Sequence, residues 1–144
     1  MDRFVLTIFE IIKNILPQYS VKGQGIGINN LIKPVNKAPS IRIRPDILIS
    51  KNNETKLTID TKYKKMDDYY QIAKAKSPDI YQIISYSLAY KCNSMLIYPK
   101  NNVENIRYCY TFSDELVEKI SWNIFVSVLA GNNKTQILFF KDSS

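Results

Sequence analysis

Apolar residues recur at helical spacing at the start of the chain, where Phe4, Val5, Ile8, Ile12, Ile15 and Leu16 make one face and Arg3, Thr7, Glu10 and Asn14 the other. Pro17 closes the run, so the pattern predicts an amphipathic helix over residues 3–16. A short strand is expected near Tyr19 to Lys22. From Gly23 to Ser40, three glycines, two prolines and several asparagines predict a long loop. Ile41 to Ser50 is apolar on both parities after Pro45, as in a buried strand, and Lys51 to Lys56 reads as a polar turn into a second strand, Leu57 to Lys64. That second strand alternates: Leu57, Ile59, Thr61 and Tyr63 share one face, and Thr58, Asp60 and Lys62 the other. The two strands should form a hairpin.

Ser77, Pro78 and Asp79 supply an N-cap, a first-turn proline and an acid matched to the helix dipole, so a helix is expected from about Pro78 to Lys91. Ser94 to Tyr98 and Asn105 to Phe112 read as strands separated by a turn at Pro99 to Asn102. Ile120 to Leu129 fits a strand or a buried helix; Gly131, Asn132 and Asn133 ahead of Ile137 to Phe140 favour a terminal hairpin. These elements predict a mixed α/β (α+β) fold with a central sheet flanked by helices.

At 144 residues the length suits one domain, 1–144, able to bury a core without disulfides or metal staples. The net charge of +7 suits a polyanionic partner such as DNA. The lysines come with many Asn, Ile and Tyr residues, a mixture that base-composition bias also produces, so charge alone does not establish that partner. There is no histidine, which removes His-metal nucleases, Ser-His-Asp hydrolases and Cys-His proteases together. Cys92 and Cys109 are too few for a four-ligand zinc site, and a reduced, buried pair in a cytoplasmic protein is expected. Asp2, Glu10 and Lys13 interrupt the first apolar run, which fits neither a signal peptide nor a membrane span.

The remaining chemistry belongs to carboxylates, lysines and a metal. Phosphodiester hydrolysis needs an acidified water, charge neutralisation at the phosphate and help for the leaving oxygen, and Mg²⁺ (with Mn²⁺ able to substitute) supplies all three. Mg²⁺ demands oxygen ligands, and Asp46 and Asp60 on the two strands of one hairpin can offer them to a single ion. Lys62 lies on the face of Asp60, where it can orient the nucleophilic water or stabilise the phosphate as a point charge. The competing reading makes Asp60 and Lys62 a solvated or paired polar face of an edge strand. Lys64, Lys65, Lys74 and Lys76 could track a phosphate backbone, or simply solvate a loop. The Gly23 to Gly27 stretch lacks the strand-to-helix context of a nucleotide-binding turn.

Arg44-Pro45-Asp46 followed by Ile59-Asp60-Thr61-Lys62-Tyr63-Lys64 resembles the PD-(D/E)XK nuclease signature. With Asp79-Ile80-Tyr81-Gln82, Tyr86, Leu96-Ile97-Tyr98-Pro99 and the Phe9-Glu10 pair, the chain looks like the nuclease domain of the McrC family. That family supplies the DNA-cleaving subunit of modified-cytosine restriction systems, driven by an AAA+ GTPase. The resemblance implies a restriction-endonuclease-like fold and a Mg²⁺-dependent DNA endonuclease serving restriction or phage defence. It carries over Asp46, Asp60 and Lys62 as catalytic, Gln82 as an active-site residue near metal or phosphate, and Glu10 as an additional metal-binding acid. The plainer readings are a solvated helix face for Glu10, a helix cap for Asp79 and core packing for Tyr86. Family members carry a substantial region ahead of the nuclease domain that engages the motor. This chain opens almost at the first nuclease helix, as the C-terminal part of a longer protein or a reduced relative would, which leaves the GTPase partnership open. A homodimer for cutting both strands, a repair or junction-resolving nuclease, and a non-cleaving nucleic-acid-binding module on the same fold also stay open.

Overall fold

The computed structural model describes residues 3–23, 30–62, 77–98, 106–113 and 120–128. In chain order it places helix α1 (Arg3–Ile15) and strands β1 (Ser20–Lys22), β2 (Ile47–Lys51) and β3 (Glu54–Thr61). Helix α2 (Ser77–Tyr90) and strands β4 (Asn93–Tyr98), β5 (Ile106–Thr111) and β6 (Asn123–Val128) follow. The strands form one six-stranded mixed sheet in the order β1-β2-β3-β4-β6-β5. β1, β2 and β3 pair antiparallel, β3, β4 and β6 parallel, and β5 antiparallel to β6.

The expected hairpin is present, with a tighter turn than its polar stretch suggested. Lys51 faces Glu54, and only Asn52 and Asn53 lie between them, both at positive φ (55° and 61°). Two successive left-handed residues match the twist of the flanking strands, and Asn tolerates that region better than most side chains.

Period-two alternation sends the residues of β3 and β4 to opposite layers. Leu57, Ile59, Met95 and Ile97, with Ile47, Ile49 and Phe125, pack under Val5, Ile8, Ile12 and Leu16 from α1 and the residue after it. On the other face Leu96, Tyr98, Ile124 and Val126 pack with Ile83 and Tyr86 of α2. β4 is buried from Ser94 to Tyr98 because it has strands on both edges and a helix layer over each face. Lys91, at φ 54°, ends α2 in the left-handed position that releases the chain into β4.

Several expectations need correction. β2 starts at Ile47 rather than near Ile41, so Asp46 stands at a bend before the strand and not inside it. Register explains this: Ile47 faces Ile59, so two further steps would bring Pro45 opposite Thr61, and Pro45 has no N–H to extend the ladder. β3 ends at Thr61, which places Lys62 just past the strand. Cys92 is buried, its thiol pushed up to about 12 by burial, but Cys109 is exposed on β5, so the cysteines are not a buried pair. Of the two readings for the 120–129 stretch the strand holds, as β6 over Asn123–Val128, inserted between β4 and β5. Its suggested hairpin partner at 137–140, the turn at 99–102 and the glycine segment from residue 24 lie outside the described residues.

Candidate active site

The C-terminal end of β3 brings the sequence candidates together. Asp46 stands one step beyond the Ile47–Ile59 pair, opposite Asp60, and both are buried. Asp46 Oδ2 accepts two hydrogen bonds from one residue, the Thr61 amide at 2.8 Å and the Thr61 hydroxyl at 2.9 Å. The carboxylate thus serves as acceptor for the Thr61 amide, which lies past the last paired residue of β2. The Lys62 amide donates to the Ile97 carbonyl of β4 (3.0 Å), so the residue that ends β3 is still tied to the sheet.

Lys62 Nζ lies 2.9 Å from Asp60 Oδ2, and its side chain keeps about a quarter of its surface in solvent. The contact is an ion pair without a well-directed hydrogen bond, since Oδ2 is buried and has no hydrogen-bond donor in good geometry among the described residues. Asp60 is pushed up to about 6, first by burial and second by the charge of Asp46, with Lys62 pulling the other way. A buried acid held beside a second acid and only partly offset by an ammonium is short of positive charge. A hard divalent cation would relieve that shortage, and the two carboxylates are the oxygen donors it prefers. The residues present therefore fit Mg²⁺.

α2 contributes Gln82 and Tyr86, one turn apart. Gln82 Nε2 donates to the Tyr86 hydroxyl at 2.8 Å, and that hydroxyl reaches toward the Arg44 carbonyl at 3.5 Å. The Tyr86 phenol is shifted upward by burial and then by the charges of Asp60 and Asp46, so it faces the acid pair while packing in the α2-side core. Core packing and a place at the site are both true of Tyr86. Asp79 sits in the first turn of α2, where the helix dipole favours an acid, and also accepts a 2.8 Å hydrogen bond from the Tyr98 hydroxyl at the end of β4. Burial and the Asp79 carboxylate raise the Tyr98 phenol, with a smaller contribution from Asp60.

Glu10 is not brought to this group. It is exposed on α1, which packs over the Ile59 face of the sheet, and among the described residues no three His, Cys, Asp or Glu side chains converge as a metal cage. Lys64, Lys65, Lys74 and Lys76 lie outside the described residues. Two open hollows of about 440 and 600 Å³ flank the Asn52 turn at the far end of the hairpin, and neither is lined by Asp46, Asp60 or Lys62. Shape alone points there, but charge and burial point to the acid pair. Sequence reading missed Thr61 and the Asp79–Tyr98 bond. The hydroxyl of Thr61 on an otherwise apolar face was the available signal for the first.

The family model described as "McrBC 5-methylcytosine restriction system component" matches residues 2–99. Among solved structures, a chain of the half-complex from the tetradecameric assembly of Thermococcus gammatolerans McrB AAA+ hexamers with bound McrC shares the fold. The TM-score is 0.56 at 15% identity, over 94% of this chain and 30% of that one. This chain thus spans about a third of the length of that relative. No curated protein matches. Among the described residues no helix is long and apolar enough to cross a membrane.

Proposed function

The chain belongs to the McrBC 5-methylcytosine restriction system component family, and from that premise we propose that it is the DNA-cleaving part of such a system, a Mg²⁺-dependent endonuclease that hydrolyses phosphodiester bonds. The observation that carries this reading is the buried, opposed pair Asp46 and Asp60 with the Lys62 ammonium 2.9 Å from Asp60 Oδ2. Buried charges need partners, and two acids brought this close create a demand for positive charge that a cation would meet.

Asp46 and Asp60 would hold the cation, which supplies an acidified water and neutralises charge on the phosphate. Lys62, partly in solvent, can turn from Asp60 toward an arriving phosphate and stabilise its added negative charge. Gln82 keeps a second N–H beyond the one given to Tyr86, which suits a phosphate oxygen or the attacking water. The basic surplus of the chain, with Lys64 and Lys65 beside the site in sequence, would hold DNA through its backbone. Base or methylation specificity then comes from outside this domain. The Thermococcus gammatolerans assembly pairs McrB AAA+ hexamers with McrC, and an AAA+ GTPase of that kind is the partner we infer for this chain.

The test is plasmid cleavage in Mg²⁺, with and without cytosine methylation, on wild type and Asp60→Ala. Nicking by wild type and none by Asp60→Ala is the expected result. DNA retention without nicking in Mg²⁺ or Mn²⁺ would instead mark a binding module.

A further inference from the structure

Leu57 and Ile59 occupy the α1 face of β3 as apolar core, and Thr61, two positions on, breaks the series. Its hydroxyl and its own amide both donate to a single atom, Asp46 Oδ2, at 2.9 and 2.8 Å, in a buried setting. We propose that Thr61 is a positioning residue for the cation site. By holding Oδ2 with two donors it fixes the plane of the Asp46 carboxylate that would ligate the cation. The inference rests on Asp46 being a ligand, as proposed above.

A carboxylate oxygen has two in-plane lone pairs and can accept both donors at once. Bonds to an ionised oxygen are the stronger kind, and here both partners are buried. Mg²⁺ and Mn²⁺ bind best to ligands already set in octahedral directions, so an Asp46 free to rotate would have to be ordered at the moment of binding. Partners that orient a metal ligand typically account for about 10–100-fold in affinity. The amide survives any substitution at residue 61 except proline, so removing the hydroxyl alone should cost about 10-fold, at the low end of that range.

A purely structural Thr61 would tie the end of β3 to the residue before β2 and nothing more. It would change unfolding without changing how tightly the folded protein takes a cation. The two roles are separated by titrating the 144-residue chain with Mn²⁺ at fixed ionic strength and reading free Mn²⁺ by electron paramagnetic resonance, with folding checked by circular dichroism. Thr61→Val should bind about 10-fold more weakly than wild type, Thr61→Ser should recover to within about 3-fold, and Asp46→Ala should lose the site. Thr61→Ala removes the same donor and carries the same expectation wherever Thr61→Val does not fold. Unchanged Mn²⁺ affinity in Thr61→Val or Thr61→Ala, alongside loss in Asp46→Ala, would overturn the positioning role and spare the ligand assignment. Weak binding by Thr61→Ser as well would overturn it too, by showing that the methyl group matters and not the hydroxyl. Wild-type binding by Asp46→Ala would instead overturn the ligand assignment, and the Thr61 inference with it.

Discussion

On the α1 face of the sheet, Leu57, Ile59, Met95, Ile97 and Phe125 meet Val5, Ile8, Ile12 and Leu16, apolar against apolar. On the α2 face the intervening residues of the same strands are Thr58, Asp60, Ser94, Leu96 and Tyr98, set against Ile83, Tyr86 and Asp79. One buried face is therefore built for packing, while the other spends much of its area on polar groups that must each find a partner. Thr58 pairs with Ser94 at 2.6 Å and Tyr98 with Asp79 at 2.8 Å. Asp60 Oδ2 has no well-directed hydrogen-bond donor among the described residues, although the Lys62 ammonium lies 2.9 Å away. The difference teaches that β3 performs two tasks through its period of two, and that among the described residues the incomplete satisfaction falls at the end where chemistry is proposed.

Substitution at neighbouring positions of β3 should break the two faces in opposite ways. Asp60→Ala and Lys62→Ala should each lower cleavage by at least ~10²-fold, because a cation ligand and a charge stabiliser are removed, and both should fold. Ile59→Ala, one residue away on the other face, should destabilise by about 2–5 kcal/mol in denaturant unfolding, since it opens a cavity under α1. Its cation affinity should stay near wild type. A variant at 59 that loses the cation without losing stability would erase the distinction between the faces.

The acid pair also sets a pH dependence that the apolar face cannot. Asp60 titrates near 6 in the folded protein against 3.8 unfolded, so the native state holds the extra proton between those values. Metal-free stability should therefore be fully present below about pH 4, fall as pH rises toward 6 and level off above it, by an amount of order 3 kcal/mol. Urea unfolding in EDTA across pH 4–7 measures the slope, and Asp60→Asn should flatten it. A smaller effect is expected from Tyr98→Phe, which removes a donor from the buried Asp79 and should cost about 1–2 kcal/mol by the same assay, with the pH slope kept.

What the sequence made legible follows the same division. α1, the alternation of β3 and the span of α2 were readable because periodicity reports burial directly. Asp46, Asp60 and Lys62 were readable as a cluster because charges in or next to apolar strands need partners and the hairpin register brings Asp46 opposite Asp60. Glu10 belonged to the same reading by resemblance, but a residue on the polar stripe of α1 faces solvent above the wrong side of the sheet. The early end of the β2 ladder needed the pairing of Pro45 with Thr61, and the Asp79–Tyr98 bond joins residues 19 positions apart. Such partners depend on how elements dock, which local pattern does not encode. The place of β6 between β4 and β5 is likewise a matter of topology.

The central claim is that Asp46 and Asp60 together bind a divalent cation, and thermal unfolding of wild type and Asp46→Asn tests it without requiring cleavage. Both proteins would be melted in EDTA and across titrations of Ca²⁺ and Mg²⁺ at fixed ionic strength, so that screening is not mistaken for binding. The account predicts that Asp46→Asn melts higher than wild type in EDTA, because one of two opposed charges is gone, by about 1 kcal/mol in stability. It predicts further that only wild type gains stability as the ion is added, in proportion to the logarithm of its concentration above Kd. An equal cation-induced rise in melting temperature for both proteins would contradict it.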